Sequence, residues 1–230
     1  MFERMLRIGA RISPLALKQV EEVLVRLKES WPVMRAIFIG IDTYGDKDKI
    51  TPISEIEGTD FFTAEIDQAL LRGDIDFAVH SAKDLPGQIP EGLLIAAITK
   101  SIDPYDALVS KGNLKIDELK AGAKIGASSL RRKTQLKKYR RDFQIQDIRG
   151  NIEERLEKLD EDGLDAIIVA SCALMRLGLE DRIAQKIPFE ILTPHPLQGS
   201  LAIAARENDR EIINLFSKLD MRKEIENWIF

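Results

Sequence analysis

Seven residues near the middle of the chain, Gly126-Ala127-Ser128-Ser129-Leu130-Arg131-Arg132, combine the groups an anion needs. They stand where a strand pattern gives way to a helical one, so free backbone N–H groups and the positive end of a helix meet there. Ser128 or Ser129 can cap that helix, and Arg131 and Arg132 add planar donors matched to carboxylates. The basic run continues through Lys133, Lys137, Lys138, Arg140 and Arg141. Charge runs of that kind usually form a solvated helix face, and these residues are assigned to one. A nucleic-acid surface is not expected, because only Tyr139 interleaves the run and the chain as a whole is acidic.

Arg149-Gly150-Asn151, with Arg155 behind it, repeats the arrangement at the next strand-to-helix junction. Gly150 lets the backbone approach a ligand closely, and Arg149 and Arg155 can both face the edge of the sheet where open α/β folds bind ligands. A third junction, Val79-His80-Ser81-Ala82-Lys83-Asp84-Leu85-Pro86, offers a carboxylate instead. Asp84, beside Lys83 and just ahead of a proline, can stabilise a cationic intermediate or shuttle a proton; the plainer reading is a turn with a weak ion pair. His80 is taken as a structural histidine. Arg11 and Ser13, ahead of Pro14, make a further strand-end anion site. Phe61 and Phe62 are assigned to the core, with Phe62 the one able to line a cleft. The single cysteine, Cys172, reads as a small buried hydrophobe. Two histidines and one cysteine give no metal-ligand spacing, and neither a Walker A nor a Gly-x-Gly-x-x-Gly pattern supports a nucleotide.

The elements that must position these groups alternate. Strand patterns run over Leu6–Ala10, Ala36–Ile41, Ile75–Val79, Ala123–Ala127, Gln144–Ile148, Asp165–Ala170 and Leu201–Ala205. Between them lie helical patterns from Pro14, over Phe62–Leu71, Ser129–Arg140 and Ile152–Leu159, from Ala173, and over Arg210–Leu219. Such alternation predicts an α/β protein with mostly parallel sheets covered on both faces. Two βαβ sets, each about a hundred residues long, predict two lobes joined near Lys100–Pro104 and Thr193–Pro196, with a ligand cleft between them. The strand at Leu201 returns to the first sheet, giving lobe 1 as 1–99 plus 200–230 and lobe 2 as 100–199.

With a net charge of −4, any anion site must come from a local cluster. No apolar run is long enough to cross a bilayer, and the N-terminus enters a strand without a signal-peptide core. One cysteine fits a reducing compartment. The expectation is a cytoplasmic monomer acting on a small molecule, with neither nucleic acid nor membrane as partner.

Taken together the motifs resemble the hydroxymethylbilane synthase (porphobilinogen deaminase) family. Ile8 to Leu17 looks like the family's opening strand and helix, Val79 to Pro86 its aspartate loop, and Gly126 to Arg132 its Ser-Ser-Leu-Arg-Arg motif. Arg149-Gly150-Asn151 with Arg155-Leu156, Met175 to Leu179, and Gln198-Gly199 ahead of Leu201-Ala202-Ile203 also match, in order, from about residue 6 to about residue 217. The resemblance implies a fold like type II periplasmic binding proteins and a transferase of heme biosynthesis, which joins four porphobilinogen molecules with loss of ammonia. It implies a dipyrromethane cofactor, with no metal or nucleotide. It also implies a catalytic Asp84, and contacts to the pyrrole acids from Arg11, Ser13, Ser81, Lys83, Ser128, Ser129, Arg131, Arg132, Arg149, Gly150, Arg155, Arg176 and Gln198.

The resemblance has departures. Glu57-Gly58-Thr59-Asp60 stands in place of a Gly-Gly-Lys-Gly loop, Ala127 in place of threonine, Leu197 in place of glycine and Ala204 in place of glutamate. The sequence ends at Phe230, ahead of the family's third domain and its cofactor-bearing cysteine, so a short form is expected. Three readings stay open: a synthase holding its cofactor non-covalently or through Cys172, a non-catalytic relative binding a pyrrole or other polycarboxylate, and a plain two-lobe anion-binding module.

Overall fold

Apolar and small residues at Met5–Arg11 form strand β1, which is buried along most of its length. The chain then turns at Ser13, whose hydroxyl accepts from the Ala16 N–H, and enters helix α1, Pro14–Ser30. Proline fits that first turn because its missing N–H would have no partner there. Ala16, Val20, Val23 and Leu27 form the buried face of α1; each fully buried aliphatic side chain is worth about 1.5–3 kcal/mol. The elements that follow are β2 (Arg35–Ile41), α2 (Tyr44–Lys47), α3 (Ile53–Ile56), α4 (Ala64–Arg72), β3 (Phe77–Ser81) and β4 (Leu93–Ile98). Next come β5 (Asp106–Ser110), β6 (Lys124–Gly126), α5 (Leu130–Tyr139), β7 (Gln144–Gln146), α6 (Ile152–Glu161) and β8 (Ala166–Ala170). The last are α7 (Ser171–Leu177), β9 (Gln185–Lys186), β10 (Leu201–Arg206) and α8 (Arg210–Phe216). This computed structural model describes residues 4–48, 50–51, 53–56, 58–161 and 163–222.

Two units form. One comprises Met1–Lys47, Gly58–Ser101 and Ser200–Phe230, the other Asp48–Glu57 and Ile102–Gly199. Of the described residues, Asp48, 50–51 and 53–56 group with the second unit, although the sequence pattern places them in the first lobe. Glu57 itself lies outside the described residues, as do 223–230.

The sheets share one topology, β2-β1-β3-β10-β4 in the first unit and β7-β6-β8-β5-β9 in the second. In each, three strands pair in parallel and the fourth is antiparallel to both its neighbours. The expected mostly parallel sheets are therefore mixed. Each sheet carries two parallel and two antiparallel pairings, because β10 and β5 run against the other strands of their sheets. Leu93–Ile98 and Asp106–Ser110 had no strand assignment; both are short and largely buried, so they show no period of two. Strand β3 extends to Ser81, beyond the expected Val79, because His80 and Ser81 pair with Ala202 and Leu201 of β10.

The first unit's sheet is covered by α1 and α8 on one face, where Leu6, Ile8 and Ala10 pack, and the rings of Phe77 and Phe216 meet edge to face at 4.7 Å. Ile66 and Leu70 of α4 pack with Ile75 and Ala78 in a second cluster. In the second unit Ile125, Leu136, Phe143, Ala166 and Ile168 form the corresponding core.

Candidate functional site

Because β2, β1 and β3 run in parallel, their carboxyl ends emerge at one edge of the sheet. The chain passes from β1 to β2 on one side and returns to β3 on the other, so a crevice opens at the ends of β1 and β3. Arg11 ends β1, Ser81 ends β3, and a single 3₁₀ turn, Ala82–Asp84, follows. One pocket is lined by Arg11, Ser13, Ser81 and Asp84 together with Phe62 and His80. Lys83 is half-buried in the same turn.

The positive arm of this pocket is held from two sides. The Arg11 guanidinium lies over the Phe62 ring at 4.5 Å and donates through Nε and Nη2 to Asp46 of α2, with Nε at 3.0 and 3.2 Å from the two carboxylate oxygens. Burial pushes the Asp46 carboxyl up, but Arg11 and the hydroxyl and N–H of Thr43 outweigh it and hold the group below its ordinary value. Gln19, buried on α1, donates to Ser81 Oγ at 2.8 Å. His80 is buried, and its Nε2 has no hydrogen-bond partner among the described residues. Burial brings its pKa down to about 4, against a rise from Asp84, with Arg11 lowering it further. His80 is therefore neutral at physiological pH.

In the second unit the parallel strands β7, β6 and β8 present their carboxyl ends in the same way. Gly126 ends β6 where the side chains of Ile167, Ile148 and Leu164 would come within 3.1–3.2 Å of a Cβ, so the motif's glycine answers to close packing. Ser128 is buried and donates to the Ile148 carbonyl at 2.7 Å; its hydroxyl is spent on tying neighbouring strand ends together. Ser129 caps α5 through the Arg132 N–H at 3.3 Å. Both arginines then turn to one carboxylate: Arg131 Nη2 reaches Asp106 Oδ2 at 2.8 Å, and Arg132 Nε reaches Oδ1 at 3.0 Å. Gln198 completes that cluster, donating to Asp106 Oδ1 at 3.0 Å and to the Pro104 carbonyl at 2.8 Å.

The second basic junction is built on a reciprocal cap. Asn151 Oδ1 accepts from the Glu154 N–H and Glu154 Oε2 from the Asn151 N–H, at 2.8 and 2.9 Å, a capping box at the start of α6. Gly150 adopts φ +110°, and its carbonyl accepts from Arg155 Nε at 2.8 Å. Arg149 Nη2 donates to the Asp48 carbonyl at 2.6 Å. Arg176, in the last turn of α7, donates to the Gly199 carbonyl at 2.8 Å. Cys172, in the first turn of α7, is 4% exposed.

Asp46, Asp106 and Gln19 were missed from the sequence. Asp106 carried one usable signal, a lone acid at the head of the apolar run Ala107–Val109.

Compared with known proteins, residues 6–214 match the family model described as "Porphobilinogen deaminase, dipyromethane cofactor binding domain". The chain belongs to the porphobilinogen deaminase family. Among curated members, that of Pelotomaculum thermopropionicum is 45% identical over 96% of this chain and 71% of its own length. That of Natranaerobius thermophilus is 46% identical over 96% and 72%. As a porphobilinogen deaminase family member the chain is a transferase of tetrapyrrole (porphyrin and heme) biosynthesis, and the matched region is the one that binds the dipyrromethane cofactor. Solved structures agree on the fold alone. A periplasmic substrate-binding protein of an ABC transporter from Coxiella burnetii superposes with a TM-score of 0.55 at 19% identity, over 94% of this chain and 92% of that one. A nutrient binding protein from Burkholderia cenocepacia bound to methionine gives 0.54 at 16%, over 97% and 95%. The chain thus has the expected two-lobe, periplasmic-binding-protein-like α/β fold. Among its described residues no helix is long and apolar enough to cross a membrane, and no three metal-ligating side chains cluster.

Proposed function

We propose that this porphobilinogen deaminase family chain is a hydroxymethylbilane synthase whose chemistry is carried by Asp84. The observation that supports this most is the first unit's pocket, where Asp84 shares a strand-end crevice with Arg11, Ser13 and Ser81. In each condensation the substrate's aminomethyl C–N bond breaks, ammonia leaves, and a C–C bond forms to the open carbon of the next pyrrole, which loses its proton. Asp84 stabilises the cation left on the substrate by loss of ammonia, hydrogen-bonds the pyrrole N–H and moves the proton. Arg11 takes a substrate carboxylate. Neutral His80 beside Asp84 adds no competing positive charge.

The bound dipyrromethane would supply the primer on which pyrrole units are joined. Its acetate and propionate groups demand fixed cations, because carboxylates taken out of water without partners are prohibitively costly. Arg131, Arg132, Arg149, Arg155 and Arg176 meet that demand at the second unit's strand and helix ends, and Ser129 adds a hydroxyl. The donor set fits the cofactor. The Cys172 thiol is 4% exposed, which suits a covalent anchor poorly, and the charged side chains are read as holding the cofactor's acid groups. Substrate and product are small pyrrole acids, and the protein works as a cytoplasmic monomer without nucleic acid or membrane.

The deciding assay follows porphobilinogen consumption and ammonia release by the full chain, with porphobilinogen binding measured in parallel. Asp84→Ala is expected to abolish turnover while leaving binding largely intact. Equal loss of both would reassign Asp84 to structure, and binding without turnover in the unaltered chain would leave a non-catalytic relative.

A further inference from the structure

Asp106 opens β5, opposite the last residue of β8, Ala170, and is 0% exposed. A carboxylate so enclosed is costly unless its oxygens are fully engaged by charged donors, and here both are. Oδ1 accepts from Arg132 Nε at 3.0 Å, Arg132 Nη2 at 2.5 Å and Gln198 Nε2 at 3.0 Å, while Oδ2 accepts from Arg131 Nη2 at 2.8 Å. Gln198, also 0% exposed, braces the group through its bond to the Pro104 carbonyl. Two guanidiniums face one carboxylate, so the cluster keeps one surplus positive charge. Its exposure is unequal: the Arg132 side chain is 6% exposed and that of Arg131 26%.

We propose that Asp106 is a positioning residue. It fixes the guanidiniums of Arg131 and Arg132 at the start of α5 and presents the surplus charge, chiefly through Arg131, to a carboxylate of the pyrrole ligand. A guanidinium fixed beforehand loses less freedom on binding, and its planar fork is already oriented. Asp106 thus lowers the cost of capturing a carboxylate without itself touching the ligand. This rests on the reading of the second unit's strand ends as the place where pyrrole carboxylates bind.

The test is a double-mutant cycle on the full chain, measuring porphobilinogen KM and kcat for Asp106→Asn, Arg131→Ala and the pair. Asp106→Asn is expected to raise KM by ~10-fold or more with kcat within about threefold, and the pair to be no worse than Arg131→Ala alone. Effects that multiply in the pair would overturn the proposal, since Asp106 would then be a structural counter-charge acting independently of Arg131. If Asp106→Asn does not fold, side-chain 15N NMR of the unaltered protein decides. Slowed rotation of the Arg131 guanidinium, released by Gln198→Ala, is expected; a freely rotating Arg131 would overturn the proposal. That measurement needs no turnover, so a failure of the synthase reading is seen separately as the absence of porphobilinogen consumption.

Discussion

The guanidinium carbon of Arg11 lies 4.5 Å from the centre of the Phe62 ring, while the same group is paired with Asp46. The ring and the carboxylate together fix where the positive charge of the first pocket stands. A cation over an aromatic face is worth roughly 0.5–2 kcal/mol. Replacing Phe62 by Leu keeps the apolar volume and removes the ring's charge distribution. Porphobilinogen KM should rise by about 2- to 30-fold with kcat little changed. An unchanged KM would show that Asp46 alone suffices to place Arg11.

His80 gives the fold a defined acid sensitivity. Its folded pKa is about 4 against an ordinary value of 6.5, depressed by burial. Above both values the imidazole is neutral in folded and unfolded chains and contributes no pH dependence. As the pH falls from about 6.5 towards 4 only the unfolded chain takes up the proton, and stability falls by roughly 3 kcal/mol across that window. Urea unfolding of the unaltered protein and of His80→Gln at pH 7, 5.5 and 4 isolates this contribution. The stability difference between the two should change by that amount between pH 7 and 4. A constant difference would mean that the imidazole protonates freely in the folded state.

Asp67 acts in the opposite sense. Buried in the first turn of α4, its carboxyl is raised to about 6 by burial, with a hydrogen bond from Thr63 opposing and Asp60 adding to the rise. Its stabilising contribution is present at low pH and is lost as the pH rises through 6, where the folded chain must ionise an enclosed acid. Asp67→Asn should therefore raise the Tm at pH 8 and leave it unchanged, or lower it, at pH 4. A Tm that rises equally at both pH values would trace the effect to packing.

Much of this was legible in the sequence because strand-end chemistry leaves local signals. Ser13-Pro14, Ser129 and Asn151 each mark a helix start, and the residues just before them point to the carboxyl ends of β1, β6 and β7. Helix α1 was readable from its spaced aliphatics, whereas β4 and β5 were not, since short buried strands carry no alternation. What stayed hidden was pairing at a distance. Asp106 lies 25 residues before Arg131, and Asp46 lies 35 after Arg11; nothing local says which acid will be folded against which base. Ser128 and Ser129 look equivalent in sequence, yet one hydroxyl bonds a neighbouring strand end and the other caps a helix. The topology decides between them.

Gly150 is where backbone geometry and the basic cluster are most tightly linked. Its φ of +110° is one that residues with a Cβ rarely adopt, and a Cβ there would stand 2.4 Å from Glu154 Oε2 and 3.0 Å from Glu154 Cβ. Gly150→Ala would force Glu154 out of the capping box, and the displaced chain would move the carbonyl that Arg155 Nε uses. Strained backbone of this kind costs about 1–3 kcal/mol, on top of about 1 kcal/mol for a lost cap. Asn151→Ala serves as the comparison, because it removes half the box and leaves the glycine's φ available. Gly150→Ala should be the more destabilising of the two in urea unfolding. It should also raise porphobilinogen KM, since Arg149 and Arg155 flank the moved peptide. If both variants lose the same stability and neither alters KM, the glycine is only part of the cap, and the arginines beside it are positioned by other contacts.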